Sequence, residues 1–129
     1  MGRLDKYIQE LSRELNLEKP LNPSSSGSYF LPLEDTIRIQ ISENLSSIVF
    51  LAGIGSCPSL KREAFLQEVM EANLFGQGTH GGVLSLSEEG KITLTHSIPG
   101  ETSYDSFSSE LEDFITTVDF WKDEIFSYQ

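Results

Sequence analysis

Cysteine occurs once in the 129 residues, at Cys57, so neither an intrachain disulfide nor a cysteine-based zinc site can be built, and a reducing compartment is the simple reading. Histidine occurs twice, at His80 and His96, in neither an HxxxH nor an HExxH spacing. Basic residues are scarce: 9 Lys and Arg stand against 20 Asp and Glu, a net charge of −11. That sign repels phosphate backbones and anionic headgroups, because binding to them rests on cations that displace counterions, so nucleic acid and membrane surfaces are excluded as natural partners. Long apolar runs are missing as well. Ile48 to Gly55 is the longest, far short of the roughly 20 residues a bilayer requires. The opening Met1-Gly2-Arg3-Leu4-Asp5-Lys6 has no apolar stretch of the secretory kind, and Lys6 stands where a myristoylation signal wants Ser or Thr. A cytoplasmic protein without membrane insertion is expected.

What is present is enough to fold. The 38% hydrophobic content, with eight Phe, four Tyr and one Trp, exceeds that of a disordered acidic tail and fits a single domain over 1–129. The acids are unevenly placed. Residues 101–129 hold one base, Lys122, against eight acids, which is −7 of the −11.

Leu4, Ile8, Leu11 and Leu15 recur at helical spacing and predict an amphipathic first helix over 3–17. Residues 18–28, with two prolines and a serine run, break every periodicity and read as a link. From Tyr29 the period becomes two. Thr36-Ile37-Arg38-Ile39-Gln40-Ile41-Ser42 alternates without error, flanked by strands over Tyr29–Leu33 and Ile48–Leu51, which predicts a three-stranded antiparallel meander. Pro32 donates no ladder hydrogen bond, so the first strand belongs at an edge or bulges there. Gly53-Ile54-Gly55-Ser56 ends the meander in this reading, and Ser56 with Pro58 starts a second helix over Leu60–Asn73, whose apolar face (Phe65, Leu66, Val69, Met70, Leu74) is broader than one side of a small sheet needs. Val83–Ser87 and Lys91–His96 flank Glu88-Glu89-Gly90 as a hairpin, closed by Pro99-Gly100. A long third helix follows from about Ser103 to Phe126, aromatic on one side and acidic on the other. The fold class is therefore α+β, an antiparallel sheet with helices packed on it, in the order α-β-β-β-α-β-β-α.

No motif makes a catalytic site. Gly76, Gly78 and Gly81 spell GxGxxG, but a helix precedes them and a strand follows, the reverse of a dinucleotide fingerprint, so they read as a glycine connection past a helix end. No GxSxG elbow exposes a serine. Cys57 at a helix start would have a lowered pKa but reads as a small packed filler, and the carboxylates of the third helix, such as Glu110 with Asp113, read as a solvated face. The chain is not expected to be an enzyme, nor to bind a metal or cofactor. What remains is apolar surface on the first two helices, and strand edges open to an extended peptide.

The element order, the opening Leu4–Leu15, the segment Phe65-Leu66-Gln67-Glu68-Val69-Met70-Glu71-Ala72-Asn73, the hairpin Val83-Leu84-Ser85-Leu86 with Gly90-Lys91-Ile92-Thr93-Leu94, and the acidic helix with Phe114 and Trp121 resemble the class I type III secretion chaperones, the Tir-chaperone family. The resemblance covers most of the chain. It implies a homodimer that binds the N-terminal chaperone-binding segment of a secreted effector, keeps it non-globular, and meets the secretion apparatus, including its ATPase. It further implies a dimer interface at Leu66, Val69, Met70 and Leu74, and effector grooves lined by Leu4, Ile8, Leu11, Ile37 and Ile39. A small acidic adaptor of the same fold, bound to a folded partner, is the alternative.

Overall fold

The computed structural model describes residues 3–14, 28–34, 37–44, 46–76 and 78–128. The elements run α1 (Arg3–Glu14), β1 (Tyr29–Glu34), β2 (Ile37–Glu43), β3 (Ser47–Ser56), α2 (Arg62–Phe75), β4 (Val83–Leu86), β5 (Lys91–Pro99) and α3 (Tyr104–Ser127), in the order the periodicities predict. Leu15 and residues 18–27 of the expected link lie outside the described residues.

The five strands form one antiparallel sheet ordered β1-β2-β3-β5-β4. β1 is an edge, and its register slips between Pro32 and Glu34, so both consequences expected of Pro32 are present. Asn44 holds the β2–β3 turn: its Oδ1 accepts from the N–H groups of Ser46 and Ser47 at 3.1 and 2.9 Å. Between β4 and β5, Gly90 supplies the left-handed residue at φ 80° that its side-chain-bearing neighbours would resist. The hairpin docks with β5 inward. Only β5 is long enough to match β3, and the two pair from Ser47↔Pro99 to Ser56↔Lys91.

That pairing corrects one expectation. The meander does not stop at Gly53: β5 offers ladder partners beyond a bulge between Gly53 and Gly55, so β3 continues to Ser56, and the Cys57 N–H still reaches the Gly90 carbonyl at 2.8 Å. α2 starts only at Arg62, after Lys61 in the left-handed region at φ 55° and with no side-chain cap. Ser56 is therefore no cap. Cys57, half-buried, lies outside any helix, and the dipole argument for its thiol lapses.

One sheet face makes the core. Leu31, Ile39, Ile41, Phe50 and Leu94 are fully buried there, each side chain of this kind contributing about 1.5–3 kcal/mol by leaving water. α3 lies across it, with Phe107 and Phe114 ring centroids 5.8 and 5.5 Å from that of Phe50. Ser103 caps the helix, its hydroxyl oxygen accepting from the Ser106 N–H at 3.1 Å. α1 packs beside α3 through Leu4, Ile8 and Leu11, and the Tyr7 ring sits 5.2 Å from Phe107. The Tyr29 hydroxyl donates to Asp5 and so ties β1 to α1. At the far end of α3, Trp121 meets Phe65 of α2 edge-on at 6.3 Å, and its indole N–H donates to the Gly78 carbonyl at 2.8 Å.

Candidate protein-binding surfaces

At 100° per residue α2 divides into sectors with different fates. Phe65, Val69 and Ala72 point inward and are buried. Asn73 points at the edge strand. Its side-chain N–H donates to the Leu84 carbonyl at 2.9 Å while its oxygen accepts from the Leu84 N–H at 2.8 Å, so one amide replaces a missing strand neighbour and locks α2 to β4. This gives the Met70-Glu71-Ala72-Asn73 segment a physical meaning: Ala72 lets the helix approach, Asn73 clamps it. Gly76, left-handed at φ 69°, then closes the helix through its N–H to the Ala72 carbonyl.

Of the four residues expected at a dimer interface, the structure splits the set. Val69 belongs to the core, while Leu66, on the flank between Val69 and the outward stripe of Met70 and Leu74, is half-buried against it. Met70 and Leu74 point outward, 70% and 77% exposed, beside a groove of about 470 Å³ that Gln67, Glu71 and Asn73 complete. Leu60, Val83 and Leu86 are exposed as well and were missed. Their apolar character was visible; their orientation was not.

The residues expected to line effector grooves are placed as follows in the single chain. Leu4, Ile8, Leu11 and Ile39 are buried within the chain itself, since the same stripes that could meet a client are what bind α1 and β2 to α3. Ile37 opens β2, but its side chain lies outside the described set. Leu11 alone reaches a cavity, about 80 Å³, at the seam of α1 and α3, shared with Leu31, Leu111 and Ile115. The open side of the sheet is the other one. A row of cross-strand neighbours, Phe30, Gln40, Leu51, Thr95 and Val83, crosses all five strands on that face. None of the five is buried. The Arg38 guanidinium covers part of it, 4.3 Å above the Phe30 ring. β1 has no strand on its outer side among the described residues, whereas the β4 edge is closed at Leu84 by Asn73.

The residues weighed for chemistry have structural partners. His80 Nδ1 lies 2.5 Å from Thr117 Oγ1, whose own proton goes to the Asp113 carbonyl at 2.7 Å, so the imidazole must be the donor in this pair. His96 Nε2 meets Glu110 at 2.7 Å, which pins β5 to α3. Among the described residues no three His, Cys, Asp or Glu side chains are grouped to hold a metal ion.

Four groups are electrostatically displaced, one of them the Tyr128 phenol, raised first by its hydrogen bond to Glu68. Burial, then the hydrogen bond to Asp5, pushes the Tyr29 phenol up to about 12. Tyr104 rises to about 12, first through burial and then through the negative charges of Glu14 and Glu10. The Glu124 carboxyl is pushed up to about 7, first by its hydrogen bond with Glu68, then by burial and by the negative charges of Glu68 and Asp123.

An α+β sheet with apolar sectors turned outward, an edge strand with no outer neighbour among the described residues and histidines engaged in holding the fold defines a protein-binding module. The chain belongs to the Tir chaperone protein (CesT) family, whose model matches residues 6–122. A protein of Chlamydia pneumoniae is 28% identical over 124 residues, covering 95% of both chains. Among solved structures, a chain of the ExsC–ExsE complex superposes with a TM-score of 0.79 at 14% identity, covering 97% of each chain. A chain of the HopA1–SchA chaperone–effector complex gives 0.72 at 17% identity, covering 93% of each. The Yersinia pestis type III secretion chaperone SycH with a fragment of YscM2 gives 0.70 at 15%, covering 90% of this chain and 97% of that one. At these identities the solved structures establish the fold.

Proposed function

We propose that this chain is a type III secretion chaperone, which binds the N-terminal chaperone-binding segment of a secreted effector in the cytoplasm and holds it non-globular. Family membership gives the reading its class, and one observation carries it to this chain: among the described residues β1 has no strand on its outer side, while the β4 edge is clamped. An extended client adds to β1 by main-chain hydrogen bonds, sets side chains on the open face near Phe30 and Leu51, and reaches the α1–α3 seam at Leu11 and Ile115. The core stripe of Leu4, Ile8 and Ile39 supports that surface from within. Catalysis plays no part, and no cofactor is needed.

Two copies associate in this reading through the outward sector of α2, Met70 and Leu74. Four such side chains, each about 70% exposed, offer roughly 6 kcal/mol of burial at ~2 kcal/mol apiece, before the cost of association. The test of function is capture from the native cytoplasm with the tagged chain, followed by limited proteolysis of what it holds. A protected, otherwise unstructured segment near a client's N-terminus is the expected result. Capture of a folded partner with no such protection would replace this reading by the adaptor.

A further inference from the structure

α2 carries a second exposed sector, about 100° around the helix from Met70 and Leu74. There Glu68, Glu71 and Phe75, with the buried Ala72 beneath them, face Phe120 and Trp121 of α3 across a cleft of about 320 Å³. Its walls are aromatic: Phe75 is 68% and Phe120 47% exposed, and the Trp121 ring forms the floor. Its rim is acidic, with Glu68 and Glu71 on the α2 side, and Glu124, outside the lining, bonded to Glu68. No ion pair among the described residues neutralises that rim. Among the described residues the ion pairs are Arg13–Glu10 and His96–Glu110, and Lys122, the one base in 101–129, spends its ammonium on the Ile54 carbonyl at 3.0 Å. The Tyr128 hydroxyl donates to Glu68 at 2.7 Å, a neutral donor where a cation would serve better.

We infer that the α2–α3 cleft is a docking site for a basic protein segment that inserts one apolar side chain between Phe75 and Phe120 while its lysines or arginines pair with Glu68 and Glu71. The apolar walls supply the anchor's burial, and the uncompensated carboxylates select the sign of the segment. The crowding that lifts Glu124 to about 7 is relieved when a cation enters. A second copy of this chain, of net charge −11, has the wrong overall sign to fill an acidic-rimmed cleft. The inference stands apart from the effector reading, since neither β1 nor the open sheet face takes part.

Trp121 is the only tryptophan and lines the cleft, so its emission reports occupancy directly. The full chain is titrated, at about 0.15 M salt where long-range attraction is screened, with a short amphipathic peptide of leucine and lysine and with a lysine and serine peptide of equal charge. The leucine peptide is expected to shift the emission saturably and the serine peptide to bind about tenfold more weakly. Calorimetry is expected to show about tenfold loss in Phe75→Ser/Phe120→Ser and again in Glu68→Gln/Glu71→Gln. Because aromatic substitutions can disturb folding, amide-shift mapping on the unaltered chain supplies the second measurement, with changes confined to the cleft. Equal affinity for the two peptides, shifts spread over the acidic surface or centred on Met70, or a concentration-dependent mass abolished by the Phe75→Ser/Phe120→Ser pair would each overturn the inference.

Discussion

Replacing Asn73 with alanine tests the contact that sets the relation of α2 to the sheet. The change deletes two hydrogen bonds, at 2.9 and 2.8 Å, to the backbone of Leu84, a residue only 3% exposed. Each bond is worth about 1 kcal/mol net, and more where the freed backbone group stays dry, so the loss should be about 2–4 kcal/mol. That is a large share of the roughly 5–15 kcal/mol that stabilises a domain, and it corresponds to a fall in Tm of about 10 °C. Asn73→Asp sharpens the test. A carboxylate can still accept from the Leu84 N–H, yet it sets a second oxygen against the Leu84 carbonyl, so this variant should be the less stable at neutral pH and should recover below about pH 4, where the protonated acid can donate. Urea unfolding at matched protein concentration measures both, since association would otherwise shift the apparent stability. Hydrogen exchange at the Leu84 N–H reports the clamp itself. A loss under about 0.5 kcal/mol in the alanine variant, with unchanged exchange at Leu84, would refute the assignment of Asn73 as the lock between helix and edge strand.

Met70→Asp with Leu74→Asp should halve the mass seen by light scattering and leave the circular dichroism intact, because both side chains point away from the core; an unchanged mass removes the α2 interface. Stability should be level between about pH 8 and 10 and fall between 10 and 12, since the unfolded phenol loses its proton near 10 while folded Tyr29 and Tyr104 hold theirs to about 12; Tyr29→Phe should flatten that fall. Glu124 acts with the same sign at lower pH. Its folded carboxyl takes up a proton near 7 and the unfolded one only near 4.5, so this group adds stability as pH drops through that window, and Glu124→Gln should show a flatter profile in chemical denaturation.

Much of the fold is legible in the residues because a repeat period is a local property. The isoleucines at 37, 39 and 41 alternate without error, and β2 runs Ile37–Glu43. The third-helix stripe reappears as α3, with Phe107, Leu111, Phe114, Val118, Trp121 and Ile125 buried. Pro32 announces an edge because a missing N–H has the same meaning in any sheet. The ends of elements are less legible. Gly53 and Gly55 resemble a stop, yet β5 carries the ladder past them, and no local pattern contains the length of a partner strand forty residues away.

The candidate surfaces were the hardest part to read. Leu4, Ile8 and Leu11 have the pattern of a binding stripe and the pattern of a core stripe, and the two are identical in sequence. Val69 and Met70 are adjacent and both apolar, yet one is 7% and the other 70% exposed.

Composition and period alone determined an acidic α+β chain of eight elements without metal or nucleotide motifs, since charge, residue type and periodicity belong to the chain itself. Only the tertiary structure decided that β5 lies inside the sheet and β4 at its edge, that Asn73 closes that edge, and that Met70, Leu74, Phe75 and Phe120 remain uncovered. Hydrophobic attraction has no direction of its own. Which apolar face is buried follows from which neighbour reaches it first with matching shape, and that is a property of the assembled fold.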